Sequence, residues 1–252
     1  MHFFTETPGH YFSDEVQKFI DQEVYKPNKI WAKQIVDSDR EADSVKLRTD
    51  EFVLLPDLVA YRRQFKQVEP RPNGLSYYHP KRRPFQPDMG FALKTCARPC
   101  KFQPQHDSLC MSGLDLSEFP TPPVRHLNWL AIVTDPRIRT IRDLTGDHLP
   151  MLERLYDSCV DAITKETGLE RQDIMVFANY PPSVYKLHFH FCAPFFKSSA
   201  YDGFRIHPLS TIINNLKLFS DYYKLSTFDV PLHTNSELCR VIQARNKNGG
   251  ED

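Results

Sequence analysis

Apolar residues first recur at helical spacing near the amino terminus. The shared face consists of Val16, Phe19, Ile20 and Val24. Ser13 precedes this stretch, and its hydroxyl can accept a hydrogen bond from an amide of the first helical turn. The spacing therefore predicts an amphipathic helix that begins after Ser13 and buries one side.

Two further helices are predicted in the second half of the chain. Thr145 can cap a helix that continues to about residue 167. Its buried stripe consists of Leu149, Leu152, Leu155, Cys159 and Ile163. The segment 209–219 repeats the helical spacing, so we expect it to pack its apolar side against the same core.

Short apolar runs predict strands between these helices. The runs are 51–58, 128–134, 173–180, 184–193 and 226–232. Pro56 ends or bends the first run, because proline cannot donate to a strand ladder. Strands with short connections and helices that pack on them indicate an α+β layer architecture.

One predicted strand, YKLHFHF at 185–191, places two histidines on a single face, because successive side chains of a strand point to opposite sides. One face consists of Leu187, Phe189 and Phe191. The other consists of Lys186, His188 and His190. Such histidines can bind a metal, act as a nucleophile with a helper or lie in a hydrogen-bonded polar patch. Periodicity alone favours the last.

Residues 62–124 differ in composition from the rest of the chain. They hold 10 of the 20 prolines and ten Lys or Arg against five Asp or Glu. A stretch this long without periodic structure is uncommon inside a compact domain. We interpret it as a Pro-rich basic insertion between the two parts of one domain, 1–61 and 125–252.

Composition excludes several classes of protein. The 252 residues suffice for a sizeable core, and the formal net charge of +0 means that any nucleic-acid contact must be local. No apolar run is long enough to span a bilayer, and the first residues lack the pattern of a secretory signal. We expect an intracellular protein, cytoplasmic or nuclear, whose cysteines are mostly reduced.

The histidine strand resembles the histidine triad superfamily, whose pattern is His-φ-His-φ-His-φ-φ. The resemblance narrows to the scavenger mRNA decapping enzymes, because IRTIRDLTGDHLPML (138–152) and YPPSVYKLHFHF (180–191) both resemble segments of that family. The upstream match consists of Trp31, Glu41 and FVLLPDL (52–58), in the family's order. The resemblance covers most of 25–61 and 126–245. It implies a histidine-triad-like antiparallel sheet with packed helices.

The resemblance also implies roles for the residues of the strand. His188 matches the histidine that attacks the phosphate next to 7-methylguanosine and forms a covalent nucleotidyl intermediate. His190 matches the third histidine, which stabilises phosphate charge or orients its neighbour. Ser183 matches a phosphate-contacting serine. The family needs no metal for catalysis and implies a homodimer.

Cap recognition requires an aromatic face and a carboxylate, because a methylated guanine is cationic. By resemblance, Trp31 stacks on the base, Leu58 closes the other side, Glu41 reads the guanine edge and Asp57 makes a second acidic contact. Without the resemblance, Trp31 would be interpreted as a core residue at a helix start.

The chain departs from the family at several positions. Lys186 replaces the first histidine of the triad, Val59 a phosphate-binding lysine, and Asn179 another histidine. The ammonium of Lys186 could still neutralise phosphate. We also expect no counterpart of the family's amino-terminal domain, which is exchanged between subunits.

The insertion contains a second candidate site, formed by Cys96, Cys100, His106 and Cys110. These four side chains could hold a structural zinc, although their spacing differs from the usual zinc knuckle. The alternative is a mobile loop with reduced thiols. With zinc, the surrounding basic residues would suit RNA phosphates, whereas KRRP at 81–84 could equally be a solvated turn.

Three functions follow from these observations. The first is hydrolysis of m7GpppN cap dinucleotides or short capped oligonucleotides to m7GMP and a nucleoside diphosphate. The second is a cap-binding or RNA-binding protein of the same fold with weakened catalysis. The third is a general histidine-triad nucleotide hydrolase. None of them involves DNA or a membrane.

Overall fold

The computed structural model describes residues 2–37, 44–57, 127–193 and 203–247. Its strands are β1 (His2–Glu6), β2 (Leu47–Arg48), β3 (Phe52–Pro56), β4 (Asn128–Val133), β5 (Met175–Asn179), β6 (His188–Cys192), β7 (Ile206–Pro208) and β8 (Phe228–Leu232). Its α-helices are α1 (Pro8–Tyr11), α2 (Asp14–Val24), α3 (Trp31–Asp37), α4 (Leu149–Thr167), α5 (Leu209–Leu218), α6 (Tyr222–Leu225) and α7 (Glu237–Lys247). Within these ranges, none of the helices has the length and apolarity to cross a bilayer.

The described strands form two antiparallel sheets. The larger sheet has the order β2-β3-β4-β6-β5-β7, whereas β1 pairs only with β8. The mixed α+β class predicted from the sequence is thus confirmed. The division at residues 61 and 125 stays a prediction, because residues 58–126 lie outside the described ranges.

One face of the larger sheet belongs to the main hydrophobic core. Phe189 and Phe191 of β6 lie in the same buried cluster as Trp129 of β4 and the inner side of α4. The prediction that Leu187, Phe189 and Phe191 face a core is therefore confirmed.

The opposite face of the same sheet is covered in part by α3. Ala32 and Ile35 of this helix pack against Val53, Leu130 and other residues of the sheet in a second, smaller cluster. We call this second side of the sheet the site face, because it also carries the histidines of β6.

The helix predicted after Ser13 is confirmed. The Ser13 hydroxyl accepts a hydrogen bond from the Val16 amide, and Val16, Phe19 and Ile20 are buried. Glu23 is buried on the same helix although it is charged, since it is paired with Lys26 and Lys29.

The predicted start of α4 at Thr145 was wrong, although its end at Thr167 is confirmed. Thr145 instead begins a short 3-10 turn, in which its amide donates to Nδ1 of His148 at 2.9 Å. The α-helix begins only at Leu149. Pro150 follows there, where an amide hydrogen is not needed.

The predicted helix at 209–219 is confirmed as α5, and the predicted strand at 226–232 is confirmed as β8. Sequence patterning missed β1, which pairs with β8 along its whole length. The reason is that HFFTE at 2–6 does not alternate strictly, so the pairing with a distant strand decides its conformation.

A buried ion pair ties β1 to the turn before α4. Arg142 and Glu6 are almost fully buried, and Nη2 of Arg142 donates to Oε1 of Glu6 at 2.8 Å. The guanidinium also donates to the Tyr223 carbonyl and lies 4.0 Å from the ring centroid of Phe228. The Tyr180 hydroxyl donates to the same Glu6 oxygen.

We predict that Arg142→Met lowers the free energy of unfolding by about 3–5 kcal/mol, because it leaves the Glu6 carboxylate buried without its partner. Urea denaturation measures the loss. Arg137→Met is the control, since Arg137 pairs with Asp135 at the exposed surface and such pairs contribute little. Equal losses in the two variants would contradict the prediction.

Candidate active site

The register of the larger sheet places three rows of side chains on the site face. The first row consists of Val53, Ile132 and His188. The second consists of Leu55, Leu130, His190 and Phe177. The third consists of Asp57, Asn128, Cys192 and Met175. The sheet thus brings the two histidines beside a polar row on one surface.

The His188 side chain has a defined tautomer. It is 7% exposed, and its Nδ1 lies 2.8 Å from the carbonyl oxygen of Lys186. A carbonyl can only accept, so Nδ1 carries the proton and Nε2 keeps its lone pair. Burial lowers the pKa of His188, which favours the neutral imidazole. A neutral imidazole with a free Nε2 lone pair is a competent nucleophile.

His190 lies next to His188, with ring centroids 5.3 Å apart. Its ring stacks on Phe177 at 5.1 Å, and Nδ2 of Asn179 lies 3.5 Å from its Nε2. Burial and the neighbouring His188 hold the pKa of His190 well below its usual value. Nδ1 of His190 and Oδ1 of Asn179 are buried without a partner in the described chain. Since buried polar atoms are normally hydrogen-bonded, these two suit a polar ligand.

Lys186 stands just before the strand, and the predicted strand start at 184 was wrong, because β6 begins at His188. The chain bends there because the Leu187 amide donates to the Ile138 carbonyl, while the Leu187 carbonyl accepts from the Val133 amide. Nζ of Lys186 donates to the Thr134 carbonyl at 3.0 Å.

The electrostatic surroundings of Lys186 reach α3. Burial lowers the pKa of Lys186, and the charge of Asp37 on that helix opposes the change. Lys33 of the same helix lowers the pKa further, while Asp135 raises it. The ammonium therefore lies within electrostatic reach of the helix that starts with Trp31.

Asp57 stands at the end of β3 on the site face. Its amide donates to the Asn128 carbonyl at 2.9 Å, and Nδ2 of Asn128 donates to its Oδ2 at 3.2 Å. The Asp57 charge raises the pKa of His188, which opposes the larger effect of burial. The carboxylate predicted to contact the nucleoside therefore acts electrostatically on the predicted nucleophile.

Arg205 is a candidate that the sequence reasoning missed. Its Nε donates to the Pro181 carbonyl at 3.2 Å, and its charge lowers the pKa of both His188 and His190. The Tyr180 amide donates to the Arg205 carbonyl at 2.8 Å, next to the β5–β7 pairing. Only this pairing reveals the residue, because no local pattern marks it in the sequence.

The remaining predicted residues are placed as follows. Trp31 is the first residue of α3, half-buried, and packs against the cluster on the site face. Ser183 is exposed in the turn between β5 and β6. The predicted residues outside the described ranges are Glu41, Leu58, Cys96, Cys100, His106 and Cys110. Among the residues with described positions, no cluster of three His, Cys, Asp or Glu side chains could hold a metal.

Comparison with known proteins confirms the resemblance stated from the sequence. Residues 115–202 match the family model described as "Scavenger mRNA decapping enzyme C-term binding". This segment contains Ser183, Lys186, His188 and His190, whereas Trp31 and Asp57 lie outside it. The chain is thus related to the scavenger mRNA decapping enzymes through the segment that carries the histidines.

Individual relatives support the same relationship. The m7GpppX diphosphatase of Ascaris suum is 39% identical over 97 residues, which are 38% of this chain and 32% of the relative. That of Caenorhabditis elegans is 33% identical over 125 residues, 50% of this chain and 40% of the relative. That of Homo sapiens is 32% identical over 114 residues, which are 45% of this chain and 34% of the relative. The chain spans between 32% and 40% of these three relatives.

We predict that the buried histidines make the fold sensitive to acid. The unfolded chain takes up protons at histidines below about pH 6.5, whereas the folded chain resists them because burial lowers both pKa values. The free energy of unfolding should therefore fall as the pH drops below about 6.5, by at most about 1.4 kcal/mol per pH unit for each histidine. Urea denaturation at a series of pH values measures this slope.

His190→Gln should reduce that slope. The variant lacks one histidine that takes up a proton more readily in the unfolded chain than in the folded chain. His233→Gln is the matched control at an exposed position and should leave the slope unchanged. The prediction fails if the two variants change the slope alike.

Proposed function

We propose that this relative of the scavenger mRNA decapping enzymes hydrolyses m7GpppN cap dinucleotides, or short capped oligonucleotides, to m7GMP and a nucleoside diphosphate. The observation that carries the proposal is the hydrogen bond from Nδ1 of His188 to the Lys186 carbonyl. It leaves Nε2 as the unprotonated nitrogen of a buried imidazole, in a segment that matches this family.

The proposed reaction has two displacements. Nε2 of His188 attacks the phosphorus next to 7-methylguanosine, a P–N bond forms, and the P–O bond to the next phosphate breaks. The nucleoside diphosphate leaves with the electron pair. Water then attacks the same phosphorus, the P–N bond breaks, and m7GMP is released with the imidazole restored. A covalent intermediate divides one difficult displacement into two easier ones.

Three groups near His188 suit the charge on the phosphates. Arg205 and Lys186 are cations, and each donates a hydrogen bond to a backbone carbonyl that holds its side chain in place. The buried Nδ1 of His190 is a further polar atom. Preorganised donors of this kind stabilise the charge that develops on phosphate oxygens in the transition state.

Recognition of the methylated base is proposed for Trp31 and Asp57, together with Glu41 and Leu58. Support comes from the position of Trp31 at the start of α3, where it is half-buried against the site face, and from the position of Asp57 on the same face. A cationic base would stack on the indole and be attracted by the carboxylates.

A second candidate function is cap binding without turnover. It is favoured by Lys186 and Asn179, which replace two histidines of the related enzymes, whereas the defined tautomer of His188 favours catalysis. A general histidine-triad nucleotide hydrolase is the third, and indifference to the base methyl group would identify it.

Two further parts of the proposal concern assembly and metal. We propose a homodimer, which sedimentation equilibrium tests, and a structural zinc held by Cys96, Cys100, His106 and Cys110. Metal analysis of the purified protein tests the second, and the catalytic steps above need no metal. Zinc below one equivalent per chain would contradict the site.

We predict that the protein cleaves m7GpppG without added metal and leaves unmethylated GpppG largely uncleaved. His188→Ala should reduce the rate by about 10⁴-fold or more, because the nucleophile is removed. Chromatography of the nucleotide products measures both. Tight binding without product would support the cap-binding function, and equal cleavage of both substrates the general hydrolase.

We predict that Lys186→Met lowers kcat by about 10²-fold to 10³-fold, because one cationic donor to the phosphates is lost. Lys186→Arg should retain more activity. Since burial lowers the pKa of Lys186, the wild-type rate should fall with rising pH before a free lysine deprotonates. The arginine variant should lack this decline, because its guanidinium stays charged. An identical decline in both proteins would contradict the role.

A further inference from the structure

The third row of the site face contains a continuous hydrogen-bonded chain that links β6, β4 and the residue directly after β3. Sγ of Cys192 donates to Oδ1 of Asn128 at 3.3 Å, and Nδ2 of Asn128 donates to Oδ2 of Asp57 at 3.2 Å. Asn128 and Cys192 have no exposed surface. Asp57 is half-buried and is the member of the chain nearest to solvent.

The direction of this chain is determined by the chemistry of its ends. A carboxylate only accepts, so the amide must turn its NH2 group toward Asp57. The amide oxygen of Asn128 then points toward Cys192 and accepts the hydrogen bond from its thiol. Burial raises the pKa of Cys192 to about 12, so the thiol keeps its proton and can donate.

The amide is also held by the backbone of its own strand. Asn128 is paired with Cys192 across β4 and β6, and the Asp57 amide donates to the Asn128 carbonyl at 2.9 Å. Asn128 and Asp57 are therefore joined by one main-chain and one side-chain hydrogen bond. The Asp57 carboxylate has little freedom to rotate while the contact is intact.

We propose that Asn128 is a positioning residue that orients the Asp57 carboxylate toward the ligand on the site face. The proposal rests on the proposed function, because Asp57 is there assigned to the nucleoside of the cap. An amide donor suits this task. It binds one carboxylate oxygen but leaves the negative charge in place, whereas a lysine would cancel the charge.

The expected effect is on substrate binding more than on the chemical step. Asp57 is assigned to the nucleoside and not to the reacting phosphorus, so its contact is equally strong in the ground state and the transition state. Asn128→Leu should raise KM for m7GpppG about tenfold, with kcat changed by less than about threefold. An unchanged KM, or a loss confined to kcat, would overturn the proposal.

A second variant separates positioning from general damage to the fold. Asn128→Asp places a carboxyl beside Asp57, and the pair can restore a hydrogen bond only by sharing a proton. Its kcat/KM, divided by that of the wild-type protein at the same pH, should rise as the pH falls. A ratio that does not change with pH would contradict the proposal. Cys192→Ser, which keeps a donor, should raise KM less than Cys192→Val does.

The contact is also tested independently of any reaction. If the wild-type protein neither cleaves nor binds m7GpppG, the proposed function fails, but the orientation of Asp57 by Asn128 can still be measured. Asn128→Leu, Asp57→Leu and the double variant form a cycle in the free energy of unfolding. A combined loss smaller than the sum supports the contact. Additive losses overturn it.

Discussion

The central position of β6 is the constraint on which the site depends. This strand is paired with β4 on one side and β5 on the other. A shift of one residue would move Phe189 and Phe191, both fully buried, from the core to the site face. The cost of exposing two phenylalanines therefore holds His188 and His190 on the face where a ligand can meet them.

Burial in the sheet also sets the chemistry of the histidines. Low exposure disfavours the charged imidazole, so His188 and His190 stay neutral near pH 7. Two basic side chains lie nearby, and both Lys186 and Arg205 donate to backbone carbonyls. A neutral imidazole with basic side chains near it is the arrangement that the proposed attack on a phosphate requires.

The sheet joins two parts of the chain that differ in their relation to known proteins. The segment that matches the family model contains β4, β5 and β6, whereas Asp57 directly follows β3, outside that segment. The pairing of β3 with β4 brings Asp57 beside Asn128 and so onto the site face. The candidate site is thus a property of the assembled sheet and not of the matched segment alone.

Local periodicity was sufficient for several elements because it reports which side of a helix or strand is apolar. It determined α2 with its Ser13 cap, the end of α4 and the two faces of β6. It failed at the starts of α4 and β6. There a 3-10 turn at Thr145 and the bonds of Leu187 to Ile138 and Val133 decide the backbone.

The sequence by itself determined that His188 and His190 share a strand face, and their resemblance to a family of enzymes suggested what they do. Only the tertiary structure decided which residues stand beside them. Arg205 and Asn128 reach the site through the β5–β7 and β4–β6 pairings, which join residues far apart in the chain. The tautomer of His188 depends likewise on where the Lys186 carbonyl points. A period of two or of 3.6 residues contains no information about such contacts.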